Sequence, residues 1–202
     1  DGTEGFRSFV LSKLCAPDVD QGKFCFGLTI GGGVDSGPAG YFEEGVPSFE
    51  IYKNGLAEDR VNGQTPLELN TWYVLTAVYD GSTLKLYVDG VLEGQMERTL
   101  TATAIENDEF SIGTRGQSRP EYFDGYIRNA GVWDRALSDE DVLAIADGSY
   151  DTSSGNLLAD WGLNAGSGDM AFDRTGNQYH GTINGAEWTE FIEGCIDPLA
   201  SN

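Results

Sequence analysis

Asp173-Arg-Thr-Gly-Asn177 sets a carboxylate, a side-chain amide and turning backbone carbonyls within five residues. A hard cation such as calcium takes about six to eight oxygen ligands at flexible geometry, so Asp173 and Asn177 are candidate metal ligands. The same residues also suit a turn in which Asp173 accepts hydrogen bonds from backbone N–H groups. Asp18-Val-Asp20 is a second candidate calcium loop, although Thr29 stands where an EF-hand loop needs its twelfth-position acid. Residues Thr114 to Tyr122 offer a different chemistry. Arg115, Gln117, Arg119, Glu121 and Tyr122 combine guanidinium forks suited to carboxylate or sulfate groups with a ring able to stack on a sugar, a set that would take an acidic glycan. The alternative is that each arginine pairs with a neighbouring carboxylate on the surface. His180 is the only histidine, and no nucleophile elbow accompanies it, so no catalytic residue is assigned.

These loops must be positioned by strands. Trp72 to Tyr79 alternates along two usable faces, Asp80-Gly81 breaks the run, and Leu84, Leu86 and Val88 line one face of a second strand. Asp89-Gly90 supplies the positive φ angles of a tight hairpin, and Val91-Leu92 opens a third strand, completing a meander. Residues 6 to 14, 23 to 30 and Phe49 to Lys53 read as further strands, the last ending in the turn pair Asn54-Gly55. A late strand begins near Phe110, and Tyr126 to Val132 forms another. One helix is predicted from about Asp139 to Ala146, with Ser138 as cap, Asp141 at the capping-box position, Leu137 stapled to Val142 and Gly148 as its end.

A chain of 202 residues is long enough to bury a real core, and its 28 glycines suit many short strands joined by tight turns. A net charge of −21 repels phosphate backbones and anionic lipid, and no basic patch offsets it, which argues against nucleic acid and membrane surfaces as partners. Cys15 and Cys25 flank a short loop between two apolar stretches, so a hairpin disulfide is geometrically reasonable in an oxidising compartment; two buried free thiols are the other reading. Cys195 has no evident partner. Residue 1 is not Met, so the chain is expected to be a mature or excised piece of a larger protein.

Trp72-x-x-Leu-x-x-Val-Tyr-Asp-Gly81 and Leu84-x-Leu-Tyr-Val-Asp-Gly90 resemble the central hairpins of laminin-G-like, concanavalin A-like jelly rolls, the group that includes the pentraxins. Phe110-Ser-Ile-Gly-Thr114, Phe123 to Leu143, and the stretch from Leu158 to Trp188 resemble later elements of the same family. The resemblance implies an all-β, two-sheet antiparallel jelly-roll sandwich with one short helix over residues 1 to 190. Residues 191 to 202 then form a linker or the start of a Cys-containing repeat of secreted bacterial proteins. It also implies structural calcium at the Asp173 loop and leaves an early pentraxin-like ligand pair at Asp18 and Asp20. Of the pentraxins' second ligand cluster only Gln117 and Glu121 remain. Hydrolases of this fold carry Glu-x-Asp-x-Glu or Glu-x-Asp-x-x-Glu on one strand, and Glu106-Asn-Asp-Glu-Phe-Ser111 has neither. The expectation is therefore a non-catalytic, secreted or cell-surface module that binds polysaccharide or glycoconjugate with calcium support. Protein adhesion or a structural role in an extracellular assembly is the alternative, and a hydrolase or lyase the distant one.

Overall fold

The computed structural model describes residues 8–13, 25–31, 44–53, 56–99, 109–115, 121–153 and 155–189, and forms two compact units, Asp1–Asp124 and Gly125–Asn202. Cys15, Asp18, Asp20, Gln117, Arg119 and the 191 to 202 tail lie outside the described residues, and Cys25 is placed only as strand backbone.

In the first unit a five-stranded antiparallel sheet has the order β4-β3-β2-β1-β8, built from β1 (Ser8–Lys13), β2 (Cys25–Ile30), β3 (Pro47–Lys53), β4 (Leu56–Asn62) and β8 (Phe110–Ile112). A three-stranded sheet holds β5 (Leu75–Tyr79), β6 (Thr83–Val88) and β7 (Val91–Glu97) as the expected meander. Asp89 and Gly90 have φ of 48° and 81°, the left-handed pair that gives a two-residue turn the twist of its strands. Alternation then decides what each face buries. Leu28, Phe49, Ile51 and Val61 from the first sheet meet Leu84 and Leu86 from the second, with Leu11, Phe26, Leu75, Ala77 and Tyr79 packed around them. At about 25 cal/mol per Å² of apolar surface removed from water, this sandwich core dominates the unit's stability.

The opposite face of the five-stranded sheet carries polar rows. Register sets Ser12, Gly27, Glu50 and Arg60 in one row and Phe9, Thr29, Ser48 and Asn62 in the next. Glu50 and Thr29 are fully buried, as is Ser12. Arg60 Nε donates to Glu50 Oε1 at 3.0 Å, directly across the strands, and the Ser48 hydroxyl donates to Asn62 Oδ1 at 2.9 Å. Strand β4 was not anticipated, because Leu56-Ala-Glu-Asp-Arg-Val-Asn62 lacks the β-branched and aromatic content of its neighbours; tertiary pairing overrides that weak local preference.

The edge strands of the two sheets approach at β4 and β7. A Cβ on Gly94 would fall 2.6 Å from Asn62 O and 2.7 Å from Val61 Cγ1, so only glycine permits this spacing. Glu93 accepts from the Gln64 and Thr65 backbone N–H groups at 2.7 and 3.0 Å, and Arg98 Nε stands 2.8 Å from Asp59 Oδ2. That last contact is close but not aligned as a hydrogen bond, so it acts through charge.

The second unit contains β9 (Ala130–Trp133) paired with β10 (Leu157–Trp161), and β11 (Met170–Ala171) paired with β12 (Gly181–Thr182), all antiparallel. Between β9 and β10 lies α1 (Asp139–Asp147). Its start is fixed as expected: the Ser138 side chain accepts from the Asp141 N–H and the Asp141 carboxylate accepts from the Ser138 N–H. Arg135 grips the same carboxylate with two bonds of 2.7 and 3.0 Å, which together with the Ser138 contact holds Asp141 well below the usual carboxylate range. Gly148 ends the helix at φ 77°.

Candidate functional site

The loop expected to recognise an acidic glycan turns its first arginine inward. The Arg115 side chain is only 8% exposed, its Nη1 donates to Glu121 Oε1 at 2.7 Å, and its guanidinium lies 5.6 Å from the centre of the Phe9 ring. A desolvated guanidinium is stable there because a carboxylate and an aromatic face both meet it. Ser12 Oγ donates to Thr114 O at 2.9 Å, and Phe123 N–H to Gly113 O at 2.8 Å, closing the stem of the loop. The buried Arg115 is thus paired with a partly exposed Glu121 in this arrangement, while Tyr122 is 69% exposed.

Asp173 is the hub of the other predicted loop. Its carboxylate accepts from the backbone N–H groups of Asp160 (3.0 Å), Thr175 (3.0 Å) and Tyr179 (3.1 Å), and from the Thr175 hydroxyl at 2.9 Å. Burial opposes its charge, yet these hydrogen bonds outweigh that and bring the carboxyl down to about 2. Asn177 Nδ2 donates to Leu158 O at 2.9 Å. The groups around Asp173 present hydrogens to its carboxylate, the geometry of a turn in which that carboxylate accepts backbone N–H groups. Among the described residues no cluster of three or more His, Cys, Asp or Glu is placed to hold a metal.

His180 belongs to the same hub. Its Nδ1 accepts from the Asp173 N–H at 3.0 Å, and its ring meets Phe172 edge to face at 5.5 Å. Three of the four tryptophans are anchored by their N–H groups: Trp133 donates to the Tyr150 hydroxyl, Trp161 to Tyr179 O and Trp188 to Gly168 O. Trp161 is buried, in keeping with a core role.

An open cleft of about 450 Å³ was not anticipated. Ser82, Thr83, Glu97, Arg98 and Thr99 line it at one end of the meander. Register places Thr83 opposite Glu97, and the turn before Thr83 is fixed by Asp80, which accepts from the Ser82 and Thr83 N–H groups at 2.8 and 2.7 Å. Those bonds hold the Asp80 carboxyl below its ordinary value. Hydroxyls, one carboxylate and one guanidinium give the cleft donors and acceptors in the mixture that a polyhydroxylated ligand requires. Ser82-Thr83 and Thr99 carried no motif. Only the strand register, which sets the start of β6 beside the end of β7, could have revealed them.

The family model for concanavalin A-like lectin/glucanases (laminin G type) matches residues 19–143, and the chain belongs to that superfamily. Among solved structures it is similar to a proposed carbohydrate-binding protein from Bacteroides ovatus, with a TM-score of 0.60 and 18% identity, covering 89% of this chain and 54% of the other. A heptameric SAP-like pentraxin from Limulus polyphemus aligns with a TM-score of 0.51 and 19% identity over 70% of this chain and 63% of the pentraxin. These likenesses establish an all-β jelly-roll fold. The N,N-dimethylformamidase beta subunit of Paracoccus aminophilus is 27% identical over 171 residues, which is 69% of this chain and 22% of that subunit. The chain therefore spans about a fifth of that curated relative.

Proposed function

We propose that this chain is a non-catalytic carbohydrate-recognition module of a secreted or cell-surface protein, with its sugar contact in the cleft at the end of the meander. The observation that carries the reading is the lining itself: three hydroxyl side chains, Glu97 and Arg98 around an open depression of about 450 Å³. Membership of a superfamily of lectins and glucanases supports it, as does the fold shared with the Bacteroides ovatus protein. The glycan is neutral rather than acidic in this reading. Arg98 already faces Asp59, Arg115 faces Glu121, and the chain's charge of −21 opposes an anionic ligand.

A glycan array probed in calcium and in chelator tests the class and reads the calcium dependence directly. Retention of neutral oligosaccharides is expected, with Arg98→Ala weakening the strongest about tenfold, since a hydrogen bond to a charged group contributes roughly 1.5 to 3 kcal/mol. Retention of no glycan overturns the reading. Shortening of a polysaccharide in a depolymerisation assay replaces it with the hydrolase or lyase alternative.

A further inference from the structure

The short β11–β12 pair sorts its residues onto two faces. Met170 pairs with Thr182 and Ala171 with Gly181. Ala171 is buried, while Met170 is 40% exposed and Phe172, the next residue on Met170's side, is 58% exposed. His180 stands beside Phe172, with ring centres 5.5 Å apart and planes at 70°. An exposed phenylalanine alone is ordinary on a protein surface. Here it is joined by a second ring, a thioether and the Thr182 hydroxyl on one face.

The imidazole is also oriented. Because Nδ1 accepts the Asp173 N–H, a neutral His180 carries its proton on Nε2, and no acceptor for Nε2–H lies among the described residues. The loop leading to it is held by Asp173, through the Thr175 and Tyr179 N–H groups, and by the Trp161 N–H bonded to Tyr179 O at 2.7 Å. Gln178 has φ 65°, a left-handed conformation that a residue with a side chain adopts at a cost, so the loop's path is imposed by those anchors.

We propose that Phe172 and His180 form a second carbohydrate contact in Gly125–Asn202, stacking on the apolar C–H face of a neutral pyranose while His180 Nε2–H donates to a ring hydroxyl. The arrangement has what such a ligand demands: an apolar ring face and an oriented donor beside it. It shares the ligand class of the cleft in Asp1–Asp124 but none of its residues. Asp173 is a positioning residue for it.

The test uses neutral oligosaccharides retained on a glycan array, titrated against the full chain by calorimetry, with saturation-transfer NMR reading the sugar C–H protons. In the Arg98→Ala background, Phe172→Ala is expected to weaken the remaining binding at least tenfold and to remove transfer to those protons, while Phe172→Tyr retains both and the melting temperature of each variant stays at the parent value. His180→Ala should weaken binding by a smaller factor. If Arg98→Ala abolishes binding and Phe172→Ala leaves it intact, the platform is refuted and the cleft stands. If Phe172→Ala abolishes it and Arg98→Ala does not, the platform stands and the cleft falls. Retention of no sugar by the parent overturns both.

Discussion

Two buried carboxylates, Glu50 and Asp173, solve the same problem in opposite ways. Glu50 lies at the centre of β3, one strand in from the edge of the five-stranded sheet, fully buried, and faces the charged Arg60 on the adjacent edge strand. Asp173 is 6% exposed and faces neutral backbone N–H groups from three other positions, all within a score of residues in sequence. An ion pair between strands fixes register, because a charge left alone in the interior is costly. A carboxylate gathering N–H groups fixes a loop, because each donor would otherwise be orphaned away from water. The first device therefore belongs to the sheet's framework. The second shapes a surface segment that ends at His180.

Glu50→Ala breaks the comparison most severely. It strands Arg60 in the interior and is expected to cost about 3 to 5 kcal/mol in denaturant unfolding. Pairing Glu50→Met with Arg60→Leu sharpens the point, since the double variant should recover most of that loss if the pair serves register rather than net stability. A double variant as unstable as the single one would show that Glu50 has further obligations. Asp173→Ala comes next, at roughly 1 to 3 kcal/mol for donors left unsatisfied. Its pH signature distinguishes it from the Glu50 case. The folded carboxyl lies near 2 against an ordinary 3.8, so its contribution is fully present above about pH 4 and is lost as pH falls toward 2. Asp173→Asn should flatten that part of the acid stability curve, and an unchanged curve would remove the hub role. The smallest effect is Ser138→Ala, expected to cost about 1 kcal/mol through one helix-capping bond, measured by thermal melt.

The same contrast explains what was legible in the sequence. Local devices were readable: Ser138 and Asp141, the Asp89-Gly90 turn, and the turn role open to Asp173 all concern residues a few positions apart, where spacing fixes geometry. The meander and the alternation of Leu84 and Leu86 followed for the same reason. Long-range pairings were not. Strand β4 has too few strand-forming residues to announce itself, although Asn54-Gly55 after β3 implied a partner, and without β4 neither the Glu50–Arg60 pair nor the seam at Gly94 can be seen. The sequence left Arg115 open between a ligand and a neighbouring carboxylate, because the Phe9 ring that meets its guanidinium lies far away in the chain. The exposed face of Met170, Phe172 and His180 escaped notice because β11 and β12 are two residues each, too short for any periodicity. Their register comes from the Asp173 loop that joins them.

Gly94 has a further meaning for the life of the molecule in a crowded solution. Strands β4 and β7 are the outer members of their sheets, and an outer strand normally offers a free row of N–H and C=O groups to any passing extended chain. With Gly94 against Asn62, and with Glu93 and Arg98 tied to Gln64, Thr65 and Asp59, the two vulnerable borders shield one another. A side chain at position 94 would push the borders apart and expose both. The harm would then appear less in folding than in aggregation, as strand-to-strand association of the protein with itself.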